Sequence, residues 1–302
     1  MSALVDVVVV SYNSRDTLRA CIEPLTGQDD INVIVVDNDS ADASLQSISD
    51  LPASGIAAGR NGGFSFGCNI GLRAGRAPYV LFLNPDAQIT PESVRCLAAV
   101  LAHDTGTGVV GPRIEESDGT LFPSMRRYQR AGSIWATALF LHRFFKAASW
   151  ANEIIKAPAL YDSVGYPEWV SGACLLGRRD ILEAIGGFDE GFFLYNEDMD
   201  ICARVRAAGY QIRYEPAANA RHEGGHSAPR TGLYAILAAS RLRYARQNAG
   251  VVSAALQAAG LAVGAVTHVV ANARRPANRR GHAAALRAIV AGRAAQPSGS
   301  PS

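Results

Sequence analysis

The stretch Tyr79-Val80-Leu81-Phe82-Leu83-Asn84-Pro85-Asp86 joins a short apolar run to a polar turn. A run of this length followed by Asn-Pro-Asp predicts a buried strand that ends in a turn. The same order of an apolar run and then a polar turn occurs twice earlier in the chain. Val5–Val10 is followed by Ser11-Tyr12-Asn13, and residues 32–36 are followed by Asp37-Asn38-Asp39-Ser40. Near-continuous Val and Ile runs are typical of strands buried on both faces. We therefore predict an α/β fold with a mostly parallel sheet flanked by helices.

Helical patterns alternate with these strands. Gly62-Gly63 precedes a predicted helix from Phe64 to about Ala74, and Thr90-Pro91-Glu92 has the form of a helix start with proline at its first position. Ser40 is expected to cap a short helix containing Leu45 and Ile48. Alternation with short connections implies right-handed crossovers, and ligands of such sheets bind at the carboxyl ends of the strands. The polar clusters after the first three predicted strands fall at that edge.

The middle of the chain is less regular. We expect strands at Val109–Gly111, Val170–Leu176 and Ile212–Tyr214, a hairpin turn at Glu116–Gly119, a turn at Gly186-Gly187 and a helix at Glu197–Ala208. Residues 130–156 carry several aromatic side chains and predict a helical insert.

Asp86 follows a strand and a proline that stiffens the turn. A carboxylate in this place can hold a divalent cation, which in turn binds diphosphate oxygens, and Mg²⁺ or Mn²⁺ suits such oxygen ligands. Asn-Pro-Asp is also ordinary turn chemistry. Spacing alone does not decide between a metal site and a structural turn.

Three carboxylates, Glu197, Asp198 and Asp200, crowd the start of a predicted helix. Acids are stabilised at helix N-termini by the backbone dipole, which accounts for one or two of them. A catalytic base requires a carboxylate whose neighbours raise its pKa. We favour a general base in this cluster.

Other polar residues lie near predicted strand ends. Asp37 can accept hydrogen bonds from a nucleobase imide or a ribose hydroxyl, and the Asn61-Gly62-Gly63 segment lets the backbone approach a ligand at a helix start. His222 lies on a glycine-rich segment, where an imidazole can complete a metal shell. From spacing alone, a surface histidine explains His222 better.

Charge is distributed unevenly along the 302 residues. Residues 230–302 contain ten arginines, no lysine and no acid, so the overall charge of +2 divides into −8 for residues 1–229 and +10 for the remainder. We predict a catalytic domain at 1–229 and a basic helical tail at 230–302, with no nucleic-acid partner. The five cysteines form no CxxC pair, and with no visible signal peptide they favour a reducing cytoplasm.

The tail contains residues 249–273, a stretch of 25 residues without a charge. As a helix it would extend about 37 Å, enough to cross a hydrocarbon core. It is mostly Ala, Val and Gly, and arginines flank it on both sides. A helix that lies in a membrane interface or packs against the protein is favoured over a span, and the Gly260/Gly264 spacing has little weight in a segment so rich in small residues.

Several motifs in this order resemble the inverting family-2 glycosyltransferases, most closely a bacterial rhamnosyltransferase-like branch. The resemblance covers roughly residues 5–248. It is carried by the following segments: Val9–Asn13, Val35–Ser40, Asn61–Phe64 with Gly67, Asn69 and Gly71, Leu83–Asp86, Trp169–Ala173, Gly186–Asp189 and Phe193–Asp200.

The resemblance implies a glycosyltransferase A-type fold and specific residue roles. Ser11, Asn13 and Asp37 would match the uridine or thymidine pocket, Asn61, Asn69 and Asn84 the nucleotide-sugar site, Asp86 and His222 the Mg²⁺ or Mn²⁺ site, and Asp198, with Glu197 beside it, the base. Asn84 stands where the family's metal motif has its first acid.

The expected reaction moves a sugar, rhamnose in this branch, from a UDP- or dTDP-sugar to a glycan or polyprenyl-linked acceptor. This would take place at the cytoplasmic face of the plasma membrane. The leaving group has two candidate helpers, Arg204 and the Arg126-Arg127 pair. The alternatives are a sugar-phosphate nucleotidyltransferase, although Ser11-Tyr12-Asn13 is not a triphosphate loop, and a non-catalytic protein that kept the fold.

Overall fold

The computed structural model describes residues 3–223 and 230–292, and side chains are described throughout these ranges except at 230–232. The chain divides into two compact units. Unit 1 comprises Met1–Arg126, Ile154–Glu190 and Glu197–Ser227. Unit 2 comprises Arg127–Glu153, Gly191–Asn196 and Ala228–Ser302. The predicted boundary at 229/230 had placed the first two segments of unit 2 in the catalytic domain.

The helices of the described residues are α1 Arg15–Ile22, α2 Phe64–Ala74, α3 Pro91–His103, α4 Ala131–Ala138, α5 Arg179–Ala184, α6 Glu197–Ala207, α7 Arg230–Asn248, α8 Val251–Ala271 and α9 Pro276–Ala291. Short 3₁₀ turns occur at Glu23–Leu25, Gln46–Ile48, Leu141–Arg143 and Pro158–Tyr161.

The strands are β1 Val5–Ser11, β2 Ile31–Asp37, β3 Ser54–Ala57, β4 Tyr79–Leu83, β5 Ala87–Ile89, β6 Thr107–Glu115, β7 Leu121–Phe122, β8 Met125–Arg126, β9 Trp169–Val170, β10 Cys174–Arg178 and β11 Gln211–His222.

Unit 1 is built on a mixed sheet with the order β3-β2-β1-β4-β10-β6-β11-β5, and β7 pairs with β6. The β1–β4 half is parallel, as predicted, whereas β10 runs antiparallel to both of its neighbours. All seven residues of β1 are buried, because one hydrophobic cluster lies on each side of the sheet. The predicted α/β architecture is therefore confirmed, with a curled mixed sheet and flanking helices.

Several local expectations are wrong. Val170–Leu176 is not one strand, since residues 171–173 separate β9 from β10. The predicted helix after Ser40 is only the 3₁₀ turn Gln46–Ile48, because the Ser40 hydroxyl donates to the Asp37 carboxylate (2.5 Å) and does not cap a helix. The insert at 130–156 is α-helical only over α4, and its aromatic residues beyond Leu139 lie in turns.

Unit 2 is helical. α4 packs on α8 where Gly260 and Gly264 lie: a Cβ at Gly260 would come within 2.8 Å of Ile134, and Gly264 faces Ala138. Gly260 and Gly264 therefore form a packing site for α4, a role that their spacing alone did not indicate. By length and composition alone α8 passes the test for a membrane-crossing helix, a test that packed helices of soluble proteins also pass. Arg293, the last of the tail arginines, lies outside the described residues.

Candidate active site

His222 is brought to Asp86 by strand pairing. β5 begins directly after Asp86 and pairs antiparallel with β11, so that His222 lies opposite Ala87. The Glu223 N–H also donates to the Asp86 carbonyl at 3.0 Å. The His222 Nε2 atom consequently lies 3.2 Å from Asp86 Oδ1 and 3.3 Å from the Asn84 side-chain nitrogen. Asp86 and His222, which are 136 residues apart in the sequence, therefore lie side by side, and both side chains are of types that bind metals.

The Asp86–His222 pair fits two positions of a divalent-cation shell. Neighbouring ligands of an octahedral Mg²⁺ ion with bonds of about 2.1 Å are separated by about 3.0 Å, close to the observed separation. Within the described ranges there is no group of three His, Cys, Asp or Glu side chains that could hold a metal. Diphosphate oxygens and water would have to complete the shell, as is usual for Mg²⁺ at phosphates.

Asp198 lies at the start of α6 and is held by two backbone donors. Its Oδ2 accepts from the Gly172 N–H at 3.0 Å, and its Oδ1 accepts from the Met199 N–H at 2.8 Å. Burial raises the pKa of Asp198, while these N–H groups and the charge of Arg126 act in the opposite direction. The result is a fixed carboxylate with a raised pKa and a partly exposed side chain, as a general base requires.

The two neighbouring acids have different surroundings. Glu197 is buried, its Oε2 has no hydrogen-bond partner in the described part of the chain, and burial together with the charge of Asp198 raises its pKa well above the usual value. Asp200 is buried and accepts from Arg204 Nε at 2.8 Å. Arg204 also donates to two backbone carbonyls, those of residues 185 and 187. Its guanidinium therefore holds α6 in place, and we no longer consider it a helper of the leaving group.

One short segment connects the two acidic sites. The Gly172 N–H binds Asp198, and the carbonyl of the next residue, Ala173, accepts from the Asn84 N–H at 3.0 Å. Asp198 and the Asn84–Asp86 turn are thereby anchored to consecutive peptide groups between β9 and β10. This arrangement connects Asp198 with the turn that carries Asp86, two groups that the sequence predicted separately as a base and a metal ligand.

The role of Gly172 was missed in the sequence. A Cβ at this position would lie 3.0 Å from the Cβ of Asp198, tighter than most contacts, so a glycine allows the carboxylate to reach the backbone N–H. The signal was present as the glycine of Ser171-Gly172-Ala173, but nothing in the sequence indicated which side chain it faces.

The loops after β1 and β2 are tied to each other. Ser11 and Asp37 are register partners at the strand ends, and the Asn13 side-chain oxygen accepts from the Ala41 N–H at 2.8 Å. Asp37 binds Ser40 through both carboxylate oxygens, and Ser40 in turn accepts from the Asn13 N–H. Ser11 Oγ is buried without a hydrogen-bond partner among residues 3–223 and 230–292. Three of the predicted nucleotide-site residues thus share one edge of the sheet.

The two other asparagines have local structural bonds. Asn61 Oδ1 accepts from the Gly63 N–H at 3.1 Å and shapes the turn into α2. Asn69 is buried on α2, where its amide bonds the backbone N–H and carbonyl of Phe188 and the Glu190 carboxylate. Its side chain holds the turn at Phe188, and its place in the donor site stays a prediction.

The two residues that precede α6 have strained backbones. Tyr195 and Asn196 have φ of 68° and 66°, in the left-handed region that non-glycine residues rarely occupy. Within unit 2 the Asn196 amide donates to Gln129 Oε1 at 3.2 Å. Consecutive strained residues beside the acidic cluster are typical of functional sites.

The mixed sheet with its flanking helices is the fold of an A-type glycosyltransferase, and comparison with known proteins agrees. The model of glycosyl transferase family 2 matches residues 6–186, and the chain belongs to this family. A Mycobacterium tuberculosis N-acetylglucosaminyl-diphospho-decaprenol L-rhamnosyltransferase is 30% identical over 247 residues, covering 76% of this chain and 79% of the relative. Rhamnosyltransferase WbbL of Escherichia coli is 25% identical over 241 residues, covering 74% and 84%.

Solved structures show the same fold. A mannosyltransferase from Pyrobaculum calidifontis in complex with GDP-Man and Mn²⁺ aligns with a TM-score of 0.57 at 16% identity, covering 97% of this chain and 87% of that one. TarS 1-349 of S. aureus in complex with UDP-GlcNAc aligns with a TM-score of 0.53 at 16% identity, covering 97% and 93%. The protein is a nucleotide-sugar-dependent glycosyltransferase with rhamnosyltransferase relatives, which removes the support for a nucleotidyltransferase.

Proposed function

We propose that this enzyme transfers a sugar with inversion, using Asp198 as the base. The observation that carries the proposal is the Asp198 carboxylate, fixed by two backbone N–H groups and anchored one residue from the carbonyl that binds Asn84. Asp198 takes the proton of the acceptor hydroxyl. The acceptor oxygen then forms a bond to the anomeric carbon, and the bond from that carbon to the diphosphate oxygen breaks on the opposite face.

Asp86 and His222 are the residues that would hold a divalent ion. When bound, such an ion supplies positive charge to the departing diphosphate. Asn84, in the position of the family's first acid, adds an amide beside the pair. Because the acidic residues of unit 1 outnumber its basic ones, the ion held by Asp86 and His222 would supply the positive charge that the diphosphate needs there.

The donor we propose is UDP- or dTDP-linked rhamnose. Support comes from two rhamnosyltransferase relatives and from the polar edge formed by Ser11, Asn13 and Asp37. Asp37 can accept from a base imide or ribose hydroxyl, and the buried Ser11 hydroxyl offers a further donor at the same edge. Asn61 shapes the backbone at the α2 start, where N–H groups suit an anion.

The acceptor we propose is a glycan on a polyprenyl diphosphate, in the biosynthesis of a cell-wall or surface polysaccharide. The relative named for a decaprenol-linked substrate supports this choice. Such an acceptor is presented at the cytoplasmic face of the plasma membrane, and the arginine-rich tail would hold the enzyme there as a peripheral protein on anionic lipid.

A radiolabelled transfer assay tests the proposal. Purified enzyme is offered UDP-, dTDP- and GDP-linked sugars with Mn²⁺ and an N-acetylglucosaminyl diphosphate carrying a short prenyl chain. We expect a disaccharide product from a rhamnose donor, with the anomeric configuration opposite to that of the donor by NMR. Retained configuration would overturn the mechanism. Binding of donors without any transfer or hydrolysis would instead support a protein that kept the fold for binding.

A further inference from the structure

The difference in net charge is larger between the two units than between residues 1–229 and residues 230–302. The segments of unit 2 contain fourteen basic residues and a single acid, Glu153, for a formal charge of +13, so unit 1 carries −11. Glu153 accepts from Arg241 and from the Ser133 hydroxyl within unit 2. The remaining arginines of this unit therefore have no acid of their own unit to pair with.

Three of these arginines surround one hollow. The hollow has a volume of about 570 Å³ and is lined by Arg143, Arg274 and Arg275 together with Phe140 and Val270. Arg143 lies over the Phe140 ring at 4.6 Å. In the described residues of the chain none of the three guanidinium groups forms an ion pair with a carboxylate. Three unneutralised cations around one concave site favour an anionic ligand.

Large apolar side chains are exposed in the segment that follows Arg143. Phe144 follows Arg143 directly and is 81% exposed, and Phe145 and Trp150 are each about half exposed with their rings 5.4 Å apart. Val270, on the rim, is 70% exposed. Exposed aromatic and apolar residues beside arginines are typical of surfaces that enter a membrane interface.

α8 carries a second group of exposed apolar residues, which ends at Val270 in the hollow. Val252, Leu256, Val266 and Val270 are all exposed, and their spacing of 4, 10 and 4 residues places them on one face of the helix. The stripe extends over about 27 Å at 1.5 Å per residue. We call the stripe, the three hollow arginines, Phe144, Phe145 and Trp150 the docking surface.

Other residues of α8 are used for packing. The buried Gln257 accepts from the Gln129 amide at 3.0 Å, and the Thr267 hydroxyl donates to the Ala138 carbonyl at 2.7 Å. Gly260 and Gly264 let α4 approach closely. A membrane-spanning α8 would have to lose these contacts and place Gln257 in hydrocarbon, which costs free energy. The helix is therefore better suited to lie on a bilayer than to cross it.

We propose that unit 2 binds an anionic bilayer through the docking surface, with Phe144, Phe145 and Trp150 in the interface and a lipid phosphate in the hollow of Arg143, Arg274 and Arg275. This rests on the proposed function in one respect, that the acceptor is lipid-linked. It differs from a general attraction by the tail, because four of the ten residues of the surface, Arg143, Phe144, Phe145 and Trp150, lie outside the tail.

Vesicle sedimentation with the full-length protein tests the aromatic part. Wild type should bind vesicles of phosphatidylglycerol and phosphatidylcholine, bind poorly to phosphatidylcholine alone, and be released by carbonate, as a peripheral protein is. The F144S/F145S/W150S variant should bind at least tenfold more weakly. The matched control is L160S/V164S/Y166S, which removes three exposed apolar side chains from unit 1. Equal binding by the two variants, or resistance to carbonate, would overturn the proposal.

Charge variants test the hollow. R143Q/R274Q/R275Q should lower affinity roughly 100-fold, since each arginine near an anionic surface contributes on the order of 1 kcal/mol. R279Q/R280Q/R287Q removes the same charge from exposed positions on α9 and should lower it less. Equal losses would mean that net charge alone attracts the unit. Inorganic phosphate at millimolar concentration should not compete; competition would assign the hollow to a soluble anion.

Catalysis is measured in the same preparations with the short-prenyl acceptor in detergent. Docking variants should keep wild-type turnover there and lose it only with acceptor embedded in vesicles. A protein that binds vesicles through this surface but transfers no sugar would leave the docking surface intact and refute the proposed function. Docking variants that transfer sugar and still bind vesicles as wild type does would refute the docking surface and leave the proposed function intact.

Discussion

Unit 1 and unit 2 place their charged side chains in different environments. Unit 1 holds the two carboxylates of the candidate site in place, with Asp86 after β4 beside His222 and Asp198 at the start of α6 on backbone N–H groups. Unit 2 leaves most of its arginines exposed and pairs its single acid internally. Reaction chemistry needs fixed, partly buried groups, whereas attraction to a surface needs exposed ones. The two units can therefore be altered independently, and the predictions below use that independence.

The largest effect should come from Asp198→Asn. Loss of the base should lower kcat by about 10²–10⁴ while donor affinity and vesicle binding stay unchanged. Single-turnover transfer and donor titration in one preparation measure both quantities.

Glu197→Gln is the matched control for Asp198→Asn. Burial raises the pKa of Glu197 well above its usual value, and glutamine replaces the buried carboxyl group with an amide of nearly the same shape, so kcat should change little. If Glu197→Gln loses as much turnover as Asp198→Asn, the base assignment within the cluster is wrong.

A second, smaller effect should follow from Asp86→Ala. With the carboxylate removed, the affinity for nucleoside diphosphate in Mn²⁺ should fall roughly 10- to 100-fold, equivalent to about 1.4–2.8 kcal/mol. Asp180→Ala removes one exposed acid from the same unit and should leave that affinity nearly unchanged. Calorimetric titration with Mn²⁺ and with EDTA is the measurement. Metal-independent binding of equal strength in all three proteins would contradict a cation at Asp86.

The smallest effect concerns the stability of unit 2 at low pH. The rings of His268 on α8 and His282 on α9 are 4.9 Å apart, and burial lowers the pKa of both. The charges of Arg143 and His142 further lower the pKa of His268. Because the folded state disfavours the protonated rings, stability is fully present above the ordinary pKa of 6.5 and declines as the pH falls below it.

Hydrogen exchange on the full chain measures this decline. Between about pH 7 and pH 5, amide protection in α8 and α9, corrected for intrinsic exchange, should fall relative to α3 of unit 1. His282→Phe keeps an aromatic ring beside Tyr234 and should flatten the dependence. An unchanged slope in the variant would show that other groups cause it.

The sequence predicted most of the fold where a local signal existed. α2 and β4 have the predicted boundaries, because glycine and proline bound an apolar pattern in each case. The antiparallel direction of β10 and the length of β11 had no local signal, since strand direction depends on pairing with distant segments. His222 illustrates the same limit in the site: only the β5–β11 register, invisible in one sequence, takes it to Asp86.

Asn69 and Arg204 show the opposite limit. Their residue types and positions suit a ligand site, and the structure uses both to hold the turn at residues 185–190. A polar residue near a strand end can serve the scaffold equally well, and the sequence does not state which backbone groups lack a partner. By contrast, Asp198 combined a helix start with an acidic cluster, and its role as the base stays a prediction.

The left-handed Tyr195–Asn196 pair has a consequence for engineering this enzyme. Each non-glycine residue in that region costs on the order of 1 kcal/mol, so glycine is the replacement that a search for thermostable variants would rank first at both positions. The chain retains a tyrosine and an asparagine there despite that cost. Residues 195 and 196 are accordingly where we expect gains in melting temperature to come with losses in turnover, and they should be kept fixed when the rest of the chain is stabilised.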